Sequence, residues 1–460
     1  MDAYEWQEAA ERWTVTDRME PAGASARRVI ARAQGPVIHD TQGRRYLDFG
    51  AIPTGAILGH NHPRYVSAIK QGLQAVGDDA FLDVDGLRLH RRLGEILTPP
   101  LQKSILVAQG DALRVATDIA RAVTGAADMM HVCPAPDGTL RFAYPATATV
   151  PDLSRPPRAP GPGMYPYRAA AAGAPPRGCP DPAQCACGTA GEAYACPELA
   201  FDAALRACGE RPAGLIMAPF AGGAFGASSG CARLLRRLCH QNGMLLAVDE
   251  SATGYGRTGR MWGHQHDDMV PDILIVSARF GAGLSIAAVC MPPDIAERAA
   301  ASDCLAMDVG WHDPVACTAA VTTIDIVQDE DLVSRAAAIG EHLKMRLGAM
   351  AADKPLIRTI YGRGTMFTIE LAAGGEPGPS ARTLVRTAVR ACRDKGLLLR
   401  GADAAGGALQ LAPPMVATAT QIDEGLDILD QVLRGMSDTL GARAASSQGA
   451  LQPGQHQLAQ

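Results

Sequence analysis

Short apolar runs, each closed by glycine, proline or polar residues, organise the middle of the chain. They cover residues 214–218, 244–248, 273–277 and 286–291. Runs of this length between turn residues predict buried strands. Residues 234–240 lie between the first two runs and predict a helix. Strand–helix–strand spacing of this kind favours an α/β sheet with parallel strands.

Two later segments carry an apolar residue at every third or fourth position. This period places the apolar side chains on one face of a helix, so both segments predict amphipathic helices whose apolar faces pack in the core. The first set is Leu332, Ala336, Ile339, Leu343, Leu347 and Met350, and the second is Ile422, Leu426, Leu429 and Leu433.

Two segments lack any clear period. Residues 134–197 are crowded with proline, alanine and glycine, and we expect a long irregular excursion there. Residues 446–460 are rich in glutamine, glycine and serine, which is typical of a disordered tail.

The bulk composition excludes several classes of protein. The chain has 460 residues, is 47% hydrophobic and carries a formal net charge of −5, so it is not basic enough to indicate a nucleic-acid partner. Residues 1–11 are acidic and do not resemble a signal peptide. The longest uncharged stretch, 213–232, is rich in glycine, serine and proline and does not resemble a membrane span. We therefore expect a soluble, cytoplasmic protein with mostly reduced cysteines.

Clustered cysteines and histidines raise the question of a metal site. Thiolates at short spacing can bind Zn²⁺, but this cluster lacks the paired C-x-x-C of the specific zinc motifs. We interpret the cysteines as incidental to an irregular loop, and His264 and His266 as a weaker metal candidate still. A binding module centred on the cysteine-rich excursion stays open as an alternative. The four cysteines are Cys179, Cys185, Cys187 and Cys196.

An ordered series of motifs runs from about residue 37 to residue 433. Together the motifs resemble the class III (ornithine and 4-aminobutyrate type) aminotransferases, with the greatest similarity to the 2,2-dialkylglycine decarboxylase branch. They are Tyr46-Leu47-Asp48-Phe49, Leu58-Gly59-His60-Asn61-His62-Pro63, Leu245-Leu246-Ala247-Val248-Asp249-Glu250, Thr253-Gly254-Tyr255-Gly256-Arg257-Thr258-Gly259, Pro271-Asp272-Ile273-Leu274, Gly281-Ala282-Gly283-Leu284, His312-Asp313-Pro314, Gly362-Arg363-Gly364 and Leu411-Ala412-Pro413-Pro414.

This resemblance implies fold type I of the pyridoxal-phosphate (PLP) enzymes. The expected architecture is α/β, with a large domain built on a mainly parallel sheet and a small α+β domain formed by both chain ends. We place the N-terminal part of the small domain at 1–60, the large domain at 61–315, the C-terminal part of the small domain at 316–440 and a disordered tail at 441–460. The family also implies a dimer with sites at the subunit interface.

The resemblance assigns one carboxylate to the cofactor. In PLP enzymes a carboxylate beside the pyridine nitrogen keeps the ring protonated, so that the ring can act as an electron sink. The aspartate of the family Asp-Glu pair maps onto Asp249. Because Asp249 follows an apolar run, it should sit at the carboxyl end of a strand, where open α/β sheets bind ligands.

The Schiff-base lysine of the family has no counterpart. In relatives a lysine follows the Pro-Asp strand by a few residues, and this chain has Arg279 there. Only a primary amine can form the internal aldimine, and a guanidinium stays protonated because its pKa lies above about 12. Arg279 could still hold an anion through paired hydrogen bonds. The segment between Lys103 and Lys344 contains no lysine at all.

Other family positions also depart from the pattern. The phosphate cup at a helix N-terminus keeps Gly110 and Asp111 but has lost its hydroxyl residue, and the phosphate threonine of the neighbouring subunit becomes Val309. On the substrate side, three replacements fall at family positions. This chain has Ala252 where the family has the glutamine that borders the cofactor. It has Gln410 in place of the arginine that grips the substrate carboxylate, and Pro53 in place of the decarboxylase-type glutamine.

These departures lead to two hypotheses for the function. The first is a class III aminotransferase-like protein that has lost internal-aldimine chemistry. Such a pseudoenzyme could form a homodimer, pair as a partner subunit with an active paralogue, or bind PLP or another small anionic ligand non-covalently. The alternative is an active PLP-dependent aminotransferase or dialkylglycine-type decarboxylase, whose amine would come from the partner subunit or a distant loop.

Overall fold

Strands and helices alternate along most of the chain. The structure is a computed structural model and describes residues 29–50, 57–74, 84–126, 128–134, 140–144, 165–166, 197–221, 224–225, 231–277, 284–302, 313–372, 378–402 and 407–449. The strands are β1 (Ile30–Gln34), β2 (Val37–Asp40), β3 (Arg45–Asp48), β4 (Lys103–Val107), β5 (Met129–Pro134), β6 (Leu140–Ala143), β7 (Tyr165–Pro166), β8 (Gly214–Met217), β9 (Phe220–Ala221), β10 (Ala224–Phe225), β11 (Leu245–Asp249), β12 (Ile273–Ser277), β13 (Ala287–Met291), β14 (Ile357–Arg363), β15 (Met366–Leu371), β16 (Leu397–Leu398), β17 (Arg400–Ala402) and β18 (Ala408–Leu411). The helices are α1 (Pro63–Gly72), α2 (Val84–Ile96), α3 (Ala112–Thr124), α4 (Pro197–Cys208), α5 (Cys231–Gln241), α6 (Pro293–Ala300), α7 (Pro314–Asp329), α8 (Leu332–Asp353), α9 (Ala381–Asp394) and α10 (Ala419–Gly449).

A mixed eight-stranded sheet with the order β4-β13-β12-β11-β8-β5-β6-β7 forms the large part of the molecule. Strands β12, β11, β8 and β5 are parallel neighbours, while β13 and β6 run against the strands beside them. Six of the eight strands therefore point the same way, and the predicted α/β class is confirmed. The sheet is mixed rather than mainly parallel, because three of its strand pairings are parallel and four are antiparallel. Strand β13 was predicted, but its antiparallel direction was not. The nine residues 278–286 that precede it are too few for the crossover that a parallel neighbour needs.

Both faces of this sheet are buried, which explains why its strands are continuously apolar. Leu246 and Val248 of β11 point into one core, which α2, α4, α5 and α7 also line. Ala247 points into the opposite core beneath α3 and α6. Because successive side chains of a strand alternate between the faces, only an apolar run can satisfy both cores.

The chain ends meet in two smaller sheets. Strand β16 pairs in parallel with β3 in the sheet β1-β2-β3-β16, so N-terminal and C-terminal segments share a sheet as expected. The second sheet has the order β14-β15-β18-β17. One of its faces packs on α8, α9 and α10 through side chains such as Ile369, Leu409 and Leu426. The predicted amphipathic helices are α8 and the first half of α10. The domain boundaries given above stay a prediction.

Two expectations about irregular segments are wrong in part. Within the supposed excursion 134–197, β6 pairs with β5, and Phe142 is fully buried against Phe201 with ring centroids 6.0 Å apart. A four-residue strand is too short to show a period. Residues 145–164 and 167–196 lie outside the described residues. Helix α10 continues to Gly449, so the expected disorder does not hold for 441–449, a segment rich in alanine, the best helix former. No helix in the described ranges is long and apolar enough to cross a membrane.

Candidate functional site

The carboxyl ends of three strands meet at one edge of the large sheet. Strands β4, β11 and β12 run in the same direction, and they end at Val107, Asp249 and Ser277. Open α/β sheets bind ligands outside this edge. We therefore take this edge, with the segments that face it, as the candidate site.

Asp249 is the last residue of β11 and is half-buried. Its Oδ1 accepts hydrogen bonds from the backbone N–H of Ser251, at 2.9 Å, and from the Ser251 hydroxyl. These bonds fix the carboxylate at the carboxyl end of the strand, as the sequence predicted for this position. A carboxylate there can accept a hydrogen bond from a protonated ring nitrogen.

Glu250, the next residue, is buried and forms hydrogen bonds inside the fold. Its carboxylate is 1% exposed and accepts N–H bonds from Gly263 (2.8 Å) and His264 (2.6 Å) and the Thr253 hydroxyl. Burial raises the pKa of Glu250, but the hydrogen bonds and the charge of His264 outweigh it, so the net pKa is lowered. The carboxylate therefore ties the turn after β11 to residues 263–264 and is part of the scaffold.

Gly110 and Asp111 lie where β4 passes into α3. A short 3-10 helix, Gln109–Asp111, leads directly into α3, so backbone N–H groups open toward this end. A Cβ atom on Gly110 would meet no described atom within 4 Å, so local packing does not require glycine. The Asp111 carboxylate contacts Arg114 at 3.2 Å. The helix end can hold an anion, although Asp111 adds a negative charge that Arg114 only partly offsets.

The turn after β11 contacts the second small sheet. Ala252 lies in this turn, and Gln410 lies in that sheet. Ala252 packs against Met366 and Ala412. Gln410 lies on β18 and is half-buried, with Thr368 and Arg400 as its cross-strand neighbours. The structure therefore places Ala252 near the strand that carries Gln410.

Several residues predicted for the site lie outside the described residues. They are Arg279, Pro53, Val309, Cys179, Cys185, Cys187 and Cys196. Arg279 follows the last residue of β12 by two positions in the sequence. The roles predicted for these residues stay predictions.

All five lysines are described, and none lies at the carboxyl edge of the large sheet. Lys103 is the first residue of β4 and thus lies at the opposite edge. Lys354 is 3% exposed and forms an ion pair with Asp430 of α10. Lys70, Lys344 and Lys395 are exposed on α1, on α8 and at the end of α9. The elements that carry the five lysines therefore differ from the strand ends β4, β11 and β12 that form the carboxyl edge.

The histidine pair His264 and His266 separates in space. Nδ1 of His264 is 3.0 Å from Glu250, whereas Nε2 of His266 is 3.0 Å from the Thr258 hydroxyl. Among the residues that the structure describes, no group of three or more His, Cys, Asp or Glu side chains could hold a metal ion.

Two polar features of the sheets could not be predicted from the sequence. His131 of β5 is 2% exposed, neither ring nitrogen has a hydrogen-bond partner in the described part of the chain, and burial lowers its pKa to about 4. The second feature is a row of cross-strand polar residues on the second small sheet, formed by Tyr361, Thr368, Gln410 and Arg400. Its residues are far apart in sequence, so only the strand register reveals it. The alternation of polar Thr368 and Glu370 with apolar neighbours indicates a polar face of β15 alone and does not reveal its partners on the other strands.

Comparison with known proteins gives consistent results. The family model "Aminotransferase class-III" matches residues 177–433. The chain is 29% identical over 412 residues to 5-aminovalerate aminotransferase DavT of Pseudomonas aeruginosa, covering 87% of this chain and 92% of the relative. It is 27% identical over 422 residues to 4-aminobutyrate aminotransferase GabT of Escherichia coli, with the same two coverages.

Solved structures share the fold. Taurine:2-oxoglutarate aminotransferase from Bifidobacterium kashiwanohense, in complex with PLP and glutamate, matches with a TM-score of 0.76 and 20% identity over 96% of this chain and 99% of that one. A phospholyase from Arthrobacter in complex with phosphoethanolamine matches with a TM-score of 0.72 and 22% identity over 93% and 99%.

Proposed function

This chain belongs to the class III aminotransferase family, and we propose that it uses the family fold to hold PLP or a similar anionic ligand without a covalent bond to a lysine. The observation that carries the proposal is the position of the five lysines. None of them lies at the sheet edge where Asp249 presents its carboxylate. Without such an amine the chain can bind the cofactor but cannot attach it.

The residues at this edge fit PLP in two respects and depart from it in two. Asp249 can pair with a protonated ring nitrogen, and the N-terminus of α3 can face a phosphate. Asp111 repels a phosphate at that helix end, and no lysine of this chain is near. When bound, PLP supplies an electron sink for bonds to an amino carbon. The chain's own residues support binding of such a group but not its attachment.

Arg279 supports the loss of lysine-linked chemistry. A guanidinium is permanently protonated, so it neither attacks an aldehyde nor accepts a proton as a neutral base. It can form paired hydrogen bonds with a phosphate or carboxylate. We infer that Arg279 contributes to anion binding where relatives have their lysine.

A partner subunit would give such a chain a role in an active assembly. The family forms its sites between subunits, so a homodimer or a heterodimer with a lysine-bearing paralogue is compatible with this proposal. In a heterodimer this chain would supply structure or ligand binding. Co-expression with a lysine-bearing paralogue should then yield a stable mixed dimer, whereas separate purification of the two chains would argue against it.

An active PLP-dependent aminotransferase is the second candidate. It is favoured by relatives named as 5-aminovalerate and 4-aminobutyrate aminotransferases that cover 87% of this chain, and by the retention of Asp249. It would need an amine from outside this chain. Decarboxylation of a 2,2-dialkylglycine is the variant that the sequence motifs suggest, and the similarity to that branch stays a prediction.

An activity assay separates the two candidates. Purified protein is incubated with 2-oxoglutarate and either 5-aminovalerate or 4-aminobutyrate, with and without PLP, and glutamate is measured. Carbon dioxide release from 2-aminoisobutyrate tests the decarboxylase variant in the same way. We expect no PLP-dependent product above the protein-free reaction. Sustained PLP-dependent turnover would reject the proposal in favour of the second candidate.

A further inference from the structure

Helix α9 carries a line of exposed arginines on its outer face. Its inner face is buried in the same core as the second small sheet, through residues such as Leu384 and Ala388. The exposed residues Arg382, Arg386 and Arg390 follow one another at intervals of four residues, which makes them neighbours on one side of the helix. At a rise of about 1.5 Å per residue, they lie about 6 Å apart along the helix axis. These three residues form the α9 arginine stripe.

The three arginines of the stripe have no ion-pair partner among the residues that the structure describes. Exposed arginines on α2, by contrast, are paired within the helix, Arg88 with Asp85 and Arg91 with Glu95. Like charges four residues apart repel each other, and Arg382 also lies in the first turn of α9, where the helix dipole disfavours a cation. The stripe therefore lowers the stability of α9 unless a bound anion neutralises it.

The charge and the surroundings of the stripe favour an acidic peptide segment as its ligand. Asp394, the last residue of α9, is the only acidic residue of this helix, so the stripe is a local positive surface on a chain whose net charge is −5. That net charge opposes the binding of nucleic acid. The apolar face of α9 is buried in the fold, so the helix cannot insert into a membrane surface as an interfacial helix does. Arginine clusters bind acidic motifs, because each guanidinium can form paired hydrogen bonds with a carboxylate.

Residues 2–11 of this chain are such an acidic segment. They include Asp2, Glu5, Glu8 and Glu11, and neither lysine nor arginine. Positions three residues apart are separated by about 4.5 Å along a helix and by about 9 Å along a polyproline-type chain, and the spacing of the stripe lies between these limits. Residues 1–28 lie outside the described residues, so the match rests on sequence and charge. Four carboxylates can thus face three guanidiniums.

The connection between this segment and the described structure is long enough to reach α9. Residues 12–28 can span up to about 56 Å when extended, at about 3.3 Å per residue. Strand β1 begins at Ile30 and lies three strands away from β16 in its sheet, which corresponds to about 14 Å. Helix α9 ends at Asp394, just before β16, and is about 21 Å long. The whole path of about 35 Å is therefore within reach of the connection.

We propose that the acidic segment 2–11 binds the α9 arginine stripe of the same chain. The contact removes the repulsion between the three guanidiniums and covers the outer face of α9. An acidic partner protein that uses this face would first have to displace the segment. The stripe contains no residue of the candidate site, so the contact does not depend on bound PLP.

Fluorescence anisotropy of a labelled peptide with the sequence of residues 1–11 tests the contact on the full-length protein at low ionic strength. In the segment variant the four acidic residues become amides, which leaves the stripe vacant for the added peptide. The stripe variant and the control variant each add three further changes that remove exposed cations, and thermal melting checks that each variant is folded. The changes are Asp2→Asn, Glu5→Gln, Glu8→Gln and Glu11→Gln in the segment, Arg382→Gln, Arg386→Gln and Arg390→Gln in the stripe, and Arg88→Gln, Arg91→Gln and Lys344→Gln in the control.

We expect the peptide to bind the segment variant about tenfold more tightly than the unmodified protein, because the tethered segment of the unmodified chain competes for the stripe. Binding to the stripe variant should be about tenfold weaker than binding to the segment variant, whereas the control variant should match the segment variant. Added salt should weaken all of this binding, because the contact is exposed.

Three results would overturn the inference. They are equal peptide affinity of the unmodified protein and the segment variant, absence of binding to the segment variant, and an equal loss of binding in the stripe and control variants. Tighter binding of an oligonucleotide or of anionic lipid vesicles than of the peptide would also overturn it, because the stripe would then serve another class of partner. Competition that disappears on dilution of the unmodified protein would contradict the assignment to the same chain and place the segment on a second copy.

Discussion

Glu250 and His264 form a fully buried pair in which Oε1 of the carboxylate lies 3.0 Å from Nδ1 of the imidazole. Nε2 of the same ring is 3.2 Å from the Thr98 hydroxyl, so the pair also connects the turn after β11 to the end of α2. Asp249, one residue earlier, stays half-buried at the sheet edge. The two adjacent carboxylates thus have different roles. Glu250 stabilises the fold, and Asp249 lies at the candidate site.

Removing the buried charge should destabilise the fold strongly. In Glu250→Gln the amide cannot accept all four hydrogen bonds that the carboxylate accepts, and His264 loses its charge partner. We expect a loss of about 3 kcal/mol in the free energy of unfolding, measured by urea titration. The control Glu424→Gln removes an exposed ion pair with Arg45 and should cost less than about 1 kcal/mol. Equal losses of unfolding free energy in Glu250→Gln and Glu424→Gln would mean that the buried pair stabilises the fold no more than the exposed pair does.

The hairpin turn between β14 and β15 should not tolerate a side chain at Gly364. This residue has a φ of +55°, and a Cβ atom there would lie 2.2 Å from the carbonyl oxygen of Arg257. Gly364→Ala should therefore lower the melting temperature by several degrees and loosen the junction at which Thr365 donates to Arg257. Gly348→Ala in α8 meets nothing within 4 Å and should be neutral or slightly stabilising. A stable Gly364→Ala protein would contradict this geometry.

Acid should destabilise the protein through His131. Burial lowers the pKa of His131 from 6.5 to about 4, so the unfolded chain takes up the proton first as the pH falls. The free energy of unfolding that depends on neutral His131 is fully present above pH 6.5. As the pH falls from about 6.5 to 4, the protein loses on the order of 3 kcal/mol of this free energy. His131→Leu should lose this part of the pH dependence, while His39→Gln on β2 should keep it. Parallel curves for His131→Leu and the unmodified protein would refute the assignment.

The carboxylate of Asp249 should matter for cofactor affinity rather than for folding. Asp249→Asn removes the charge that pairs with a protonated ring nitrogen, and we expect PLP to bind at least about tenfold more weakly. Fluorescence titration measures the affinity. Asp268→Asn, which changes an exposed carboxylate, serves as the control. Unchanged PLP affinity in Asp249→Asn would show that the cofactor does not use this carboxylate.

The apolar core strands were predictable because their local pattern coincides with their burial. The runs that became β8, β11 and β12 are buried on both faces, so a continuous apolar stretch was sufficient to locate them. The direction of β13 and the existence of β6 depend on connection length and on pairing with distant strands. Neither is encoded in a local period.

The candidate site was predictable only where it follows a strand end. Asp249 was located correctly, because its place after an apolar run determines its place in the sheet. The row from Tyr361 to Arg400 could not be found in this way. It depends on the register of β14, β15, β18 and β17, which joins residues up to 49 positions apart through tertiary pairing.

We propose that no lysine of this chain bonds covalently to PLP. The direct measurement is peptide mapping by mass spectrometry after incubation with PLP and reduction with borohydride, applied to the unmodified protein and to Arg279→Lys. Reduction fixes any bond between the cofactor and a lysine, and the stoichiometry at each lysine separates a specific site from surface labelling.

For the unmodified protein we expect only low, scattered labelling of the exposed residues Lys70, Lys103, Lys344 and Lys395. Arg279→Lys should acquire one stoichiometric adduct at position 279, because a primary amine then follows β12 near the Asp249 edge. A stoichiometric pyridoxyl group on one lysine of the unmodified protein would contradict the claim and identify an active PLP enzyme.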